Sequence, residues 1–280
     1  MSTPLRVTFV GRAGEVGHAV PSPPVDGLHA SFVEHRANHA QARLLAHVAE
    51  HSPELVVVFG VDSVPAAAIR AIGVPVVAWA VQPDRPPGWE RHPDLPFASP
   101  AYRAGLATAA DYVCVIDRPL PVADELFAAP SRRALGTGRA LVIGHCSERN
   151  EQLLIDSKHR HEVLHIAAGL QRDALAATLA GSDVAINVRD DEAPGFGPRV
   201  GLYLAAGLLL VSEPLHPRLH LRPGADHLEI RSSADLVELL ARVRADPGEF
   251  TAVGEAGREA AEAFRASRVY PQVLASFPET

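Results

Sequence analysis

Ser182 to Val211 reads SDVAINVRDDEAPGFGPRVGLYLAAGLLLV, and this stretch decides the fold. Asp183-Val184-Ala185-Ile186-Asn187-Val188 is short, apolar and partly β-branched, as suits a strand covered on both faces. Gly195-Phe196-Gly197-Pro198 is a turn whose proline stands ready to open a helix, where its missing N–H costs nothing. Gly207 ends that helix, and Leu208-Leu209-Leu210-Val211 returns to the sheet. A loop beyond a parallel strand that feeds a helix start gathers unpaired N–H groups and the positive end of the helix dipole. The segment predicts a parallel βαβ unit with an anion site at its loop.

The same alternation runs outward in both directions. Strands are predicted at Leu5-Val10, Leu55-Phe59, Val74-Ala80 and Tyr112-Ile116. Helices fall at Asn38-His51 and at Pro65-Ile72 behind the cap Asp62-Ser63. Val20-Pro21-Ser22-Pro23-Pro24 can be neither helix nor inner strand. A second series has strands at Ala140-Ile143, His161-Ala168, Asp183-Val188 and Leu228-Ile230. Its helices are predicted at Glu148-Asp156, Arg172-Gly181, Ala234-Ala245 capped by Ser233, and Glu249-Ser267. Prolines and glycines between Leu120 and Arg139 read as a linker. The expectation is an α/β chain of two Rossmann-like domains facing a cleft, over residues 1–135 and 139–262, with 263–280 as a final segment.

Composition narrows the function classes. Of the 280 residues 47% are hydrophobic and 21% charged, the balance of a soluble globular protein. No apolar run reaches the roughly 18 residues of a membrane span, and the N-terminus lacks the apolar core of a secretion signal, so cytoplasm is expected. Cys114 and Cys146 make no disulfide framework and no metal spacing. A net charge of −7 argues against a nucleic-acid backbone as partner. Neither the P-loop nor the G-x-S-x-G pattern occurs. The histidine groups His159/His161/His165 and His216/His220 lack the companions of a zinc site.

Two loops carry candidate chemistry from position alone. Gly144-His145-Cys146-Ser147-Glu148-Arg149-Asn150 follows a predicted strand, with Ser147 as a helix cap and Arg149 in the first turn. Gly195, Phe196, Gly197 and Arg199 form the second, their glycines allowing close backbone approach. A capped helix with a solvated arginine, and a tight turn without ligand, account for the same residues.

The chain resembles the retaining, glycogen-synthase-like glycosyltransferases of the GT-B fold, whose donor segment often reads E-G-F-G-x-x-x-x-E-A-x-A-x-G. Gly195-Phe196-Gly197, Ala205 and Gly207 stand in register with it, while Pro194 and Leu202 occupy the two glutamate positions. The C-terminal half is similar to the branch of the spore-coat protein CgeB, with Arg199 as counterpart of an arginine preceding the second glutamate. In the N-terminal half Val74-Trp79, Asp84-Arg85-Pro86 and Ala110-Val113 resemble further runs of the family.

The resemblance implies a nucleotide-sugar donor, an unknown acceptor, retention of configuration, and no metal or other cofactor. It implies donor-diphosphate contacts at Gly144, Ser147 and Arg149, and a backbone contact to the base at Gly169. By position rather than by resemblance, Asp84, with Gln82, Arg85 and His92 in the long proline-rich loop after Val74-Ala80, could orient an acceptor hydroxyl or steady charge at the anomeric carbon, and a plain surface loop accounts for the same residues. Asp190-Asp191-Glu192 could meet sugar hydroxyls or a cation, or be a solvated charge run; the resemblance has Gly11-Arg12-Ala13-Gly14 facing the cleft and Glu262-Ala275 crossing back to the first domain. The alternative is a catalytically inactive GT-B-like protein that binds a ligand or a protein partner, motivated by Pro194 and Leu202.

Overall fold

The computed structural model describes residues 4–21, 25, 27–35, 40–59, 68, 71–80, 103–107, 112–117, 120–128, 135–136, 138–145, 147–167, 170, 172–189, 196–216 and 218–275, apart from isolated positions within these spans. The chain divides into two units, Met1–Glu125 with Phe264–Thr280, and Leu126–Ala263.

In the first unit six strands form one sheet: β1 Leu5–Gly11, β2 Leu28–Glu34, β3 Leu55–Phe59, β4 Val76–Ala80, β5 Arg103–Ala107 and β6 Tyr112–Asp117. Their order is β2-β1-β3-β4-β5-β6, the first four parallel and β5 antiparallel to both its neighbours. β3 is buried at all five residues, which is why LVVVF is apolar throughout. Two strands depart from the sequence expectation. β2 is an edge strand, LHASFVE, without a continuous apolar run, and β5 is RAGLA, whose residues favour strands weakly. Helix α1 Ala13–Val16 follows β1, and α2 Gln41–Glu50 buries Leu44 and Val48, four apart on one face. Most of the helix expected at Pro65-Ile72 lies outside the described residues.

The second unit is a five-stranded parallel sheet of β7 Ala140–Ile143, β8 Val163–Ile166, β9 Val184–Asn187, β10 Leu209–Ser212 and β11 Leu228–Glu229. The order is β11-β10-β9-β7-β8, so the chain leaves β7 for one flank and crosses back to β9 on the other. Its helices are α3 Glu148–Arg160, α4 Arg172–Ala180, α5 Val200–Ala205, α6 Ser233–Ala245 and α7 Thr251–Ala260. Val142, Val184, Ile186, Leu209 and Val211 from the strands pack with Leu154 of α3 and Leu236, Leu240 and Val243 of α6. On α7, Gly257 meets Asp226 and Leu204 so closely that a Cβ there would lie 2.4 Å from the Asp226 carbonyl oxygen. Arg258 beside it donates from Nε and Nη2 to the Ala128 carbonyl at 2.9 and 2.8 Å, and from Nη1 to Glu262 at 2.8 Å.

Two end signals shift. The cap of α6 is Ser232, whose Oγ accepts from the Asp235 N–H at 3.1 Å, and Ser233 is the first helical residue. The single helix expected over Glu249-Ser267 is broken near Phe264 and followed by α8, Ala266–Ala275. The Phe264 carbonyl accepts the Val122 N–H at 2.8 Å, and the Ala266 N–H donates to the Val122 carbonyl at 2.8 Å. Those bonds to a distant strand-like segment displace the helical ladder there. α8 belongs with the first unit, where Tyr270 lies against Phe9 and Trp79 and donates from its hydroxyl to the Ala19 carbonyl at 2.5 Å.

Within the second unit His227 is fully buried, and neither ring nitrogen has a hydrogen-bond partner among the described residues. Burial holds its pKa below the ordinary histidine value, against the opposing pull of Glu229 and Asp226. The unfolded chain therefore takes up this proton first as pH falls. Its contribution to stability is whole above about pH 6.5 and is lost below it, at no more than about 1.4 kcal/mol per pH unit. Urea unfolding between pH 7.5 and 5 should show this slope, and His227→Phe should flatten it.

Candidate functional site

The crossover makes β7 and β9 neighbours whose following loops turn opposite ways, the place where open α/β sheets bind ligands. The β7–β9 pairing runs only through Ala140–Val184 and Leu141–Ala185. Beyond it the buried Tyr203 hydroxyl accepts the Ile143 N–H at 3.0 Å, filling the gap between the strands. Burial raises the pKa of this phenol, so it stays protonated. In such sheets the ligand crevice lies beyond these strand ends, and here the Tyr203 bond closes it from beneath.

The loop after β7 brings Gly144, Ser147 and Arg149 to one side of that crevice. Ser147 caps α3, its Oγ accepting the Asn150 N–H at 3.2 Å. The Gly144 N–H continues the sheet to the Ile166 carbonyl at 3.0 Å. Its own carbonyl accepts from His165 Nε2 at 3.1 Å. Lys158, the only lysine, donates to His165 Nδ1 at 2.9 Å and to Glu151 at 2.5 Å. Gly144 is therefore held from beneath by a side-chain chain of three residues.

The loop after β9 brings Gly197 to the other side. A Cβ on Gly197 would lie 2.2 Å from Asn187 Oδ1, so only glycine fits. Asn187 is itself buried and donates from Nδ2 to Ser212 Oγ at 2.9 Å, tying the ends of β9 and β10. Phe196 is buried, and Arg199 is half-buried at the start of α5. α5 is buried at all six residues, and Leu202 is 1% exposed. Leu202 is a core residue of a helix with no exposed face.

On the far side of β9 from β7, at the end of β10, stands a carboxylate outside the sequence candidates. Glu213, one residue beyond β10, binds both terminal nitrogens of Arg149, with Nη1 3.1 Å from Oε2 and a closer bond from Nη2 to Oε1. Arg149 Nη1 also donates to the Arg189 carbonyl at 2.8 Å. Glu213 Oε2 accepts the Arg189 N–H at 2.9 Å, and the Arg189 guanidinium lies 3.5 Å from Oε1. Burial pushes the Glu213 carboxyl up, but hydrogen bonds and charge from Arg149 and Arg189 outweigh it and hold the group below the ordinary glutamate value. The Glu213 carboxylate therefore stays ionised at neutral pH.

Asp84, Gly169 and Gly195, with Gln82, Arg85, His92, Asp190-Asp191-Glu192 and Pro194, lie outside the described residues. Gly11 is packed against Val16 and Phe59, Arg12 pairs with Glu15 at 2.9 Å, and Ala13 opens α1.

A family model for glycosyl transferase-like proteins matches residues 118–271, more than half of the chain. The chain belongs to that glycosyl transferase-like family. This family member has no match among curated protein sequences. Its fold is similar to that of HepE from Anabaena, solved in complex with UDP-glucose, at 12% identity over 98% of this chain and 100% of that one, with a TM-score of 0.54. It is also similar to AviGT4, a glycosyltransferase of avilamycin A biosynthesis, at 11% identity over 97% and 96%, with a TM-score of 0.56. A glycosyltransferase from Rickettsia africae aligns at 10% identity over 99% and 100%, with a TM-score of 0.52. The glycosyl transferase-like chain thus has two Rossmann-like sheets of the GT-B kind. Among the described residues no helix is long and apolar enough to cross a membrane.

Arg189 and Glu213 had one sequence signal available. Each stands just beyond the carboxyl end of an apolar strand, the position at which such sheets place ligand contacts.

Proposed function

We propose that this chain transfers a sugar from a nucleoside diphosphate sugar to an acceptor, without a metal ion and with retention of configuration. The observation that carries the reading is the switch point itself. There the capped α3 start follows β7 and, after β9, Gly197 lets its loop close on Asn187, while Arg149 of α3 bonds the Arg189 carbonyl. Cleaving the donor's anomeric bond leaves a nucleoside diphosphate, and guanidiniums with helix N–H groups stabilise that developing charge. Gly144 and Ser147 shape the diphosphate side, Gly197 and Arg199 the sugar side. Gly169 keeps the base-binding role that the family resemblance implies, and Asp84 the acceptor-side role read from its loop. Uridine nucleotides are the first to test, since HepE was solved with UDP-glucose.

Calorimetry against nucleoside diphosphates and nucleotide sugars tests the reading; no binding by any of them overturns it. Arg149→Ala should weaken the best-bound diphosphate about tenfold or more, as loss of charge-assisted hydrogen bonds does. An unchanged affinity removes Arg149 from the diphosphate site. The competing reading is a GT-B-like protein that binds without turnover, favoured by Leu202, which is buried at the position where the resemblance to glycogen-synthase-like enzymes implies a glutamate. Binding of a nucleotide sugar without any hydrolysis or transfer across an acceptor panel would select it.

A further inference from the structure

The switch-point crevice places two guanidiniums around one carboxylate. The Arg149 side chain is 30% exposed, Arg189 14% and Glu213 8%. Arg149 comes from α3 behind β7 and Arg189 from the end of β9, so Glu213 joins the two sides of the crevice from a third strand. Within this trio two guanidiniums share the Glu213 carboxylate. Arg189 is the poorly bonded member. Its Nη1 reaches the Pro214 carbonyl only at 3.4 Å, its Nη2 reaches Glu213 at 3.5 Å, and its buried Nε has no partner among the described residues. A buried guanidinium bonded so loosely is costly unless a ligand completes its hydrogen bonds.

We propose that Glu213 is a positioning residue of the donor site, holding Arg149 and Arg189 as a preformed pair that grips the donor diphosphate. The proposal rests on the donor-site reading above and adds to it the residue that organises the charge. A carboxylate near a diphosphate repels it, so two effects compete. Position decides between them. Without the carboxylate, Arg149 loses its two-point anchor, and two like charges lose their common counter-ion. Arg149, already 30% exposed, then turns to solvent, and the pair has to be reassembled on binding.

The test compares a diphosphate with its parent nucleoside, UDP and uridine if uridine nucleotides bind best. Glu213→Gln keeps the side chain's shape and removes its charge. It should weaken UDP about tenfold to a hundredfold, leaving uridine affinity unchanged. A merely structural role would lower the melting temperature and shift both ligands together. Arg189→Gln should show the same selective loss, and the double variant should bind UDP no worse than the weaker single one, because both act through one unit. Unchanged or tighter UDP binding by Glu213→Gln overturns the proposal, as does parallel loss of UDP and uridine. If Glu213→Gln does not fold, Arg189→Gln carries the test, and unchanged UDP affinity there overturns it. If the unsubstituted protein binds no nucleoside diphosphate, the donor-site reading falls and takes this proposal with it. If it binds one and the variants bind equally, only the positioning role falls.

Discussion

Gly197→Ala is expected to destabilise the second unit by about 3 kcal/mol, the upper end of ordinary overpacking, and to abolish nucleoside diphosphate binding. The added Cβ would lie 2.2 Å from Asn187 Oδ1 and 3.0 Å from its Cγ, distances no methyl group tolerates. Asn187 cannot simply turn aside. It is 7% exposed, and its Nδ2 bond to Ser212 joins the ends of β9 and β10. Relief must come either from breaking that bond or from lifting the 196–199 loop away from the strand end. The first leaves a buried amide unsatisfied. The second widens the crevice and withdraws the backbone a ligand would meet. Denaturant unfolding reads the stability, and calorimetry with the best-bound diphosphate reads the site. Gly144→Ala is the internal control, because a Cβ there has nothing within 4 Å and should leave stability unchanged.

Arg258→Ala is expected to cost about 3 to 5 kcal/mol, the range for removing one partner of a buried ionic cluster. The Arg258 side chain is 9% exposed and donates from Nε, Nη1 and Nη2, two of these bonds falling on the single Ala128 carbonyl. Its guanidinium also lies 4.8 Å from the Phe127 ring centre. Truncation loses the ring contact, both hydrogen bonds to the Ala128 carbonyl and the bond to Glu262. Arg258→Lys should recover only part of the loss, since one ammonium cannot reproduce a planar fork. The check is the urea midpoint at constant slope; a shift of less than about 1 kcal/mol, the size of an ordinary surface pair, would mean that the cluster is not load-sharing.

The sheets were legible where strands are buried on both faces. LVVVF and ALVI are apolar throughout, VAIN and LLVS are apolar up to a closing Asn187 or Ser212, and each is a strand. LHASFVE and RAGLA were not, because an edge strand and a short antiparallel insert are defined by their neighbours rather than by their own pattern. The cap at Ser147 and the close turn at Gly197 follow from local rules, and the structure has both. Arg149 was read as a solvated or ligand-facing arginine, and its partner Glu213 was missed. The two stand 64 residues apart, and no local periodicity encodes a pairing across three strands. Leu202 is explained by the same tertiary context, since a helix buried on every side has no room for a charged residue.

The link between Tyr270 and Ala19 spans 251 residues. The second unit is one uninterrupted stretch, whereas the first needs α8 to complete its aromatic cluster. During synthesis the sheet made first must therefore wait, with Phe9 and Trp79 uncovered, while the unit made second folds ahead of it. The order of translation and the order of completion are reversed.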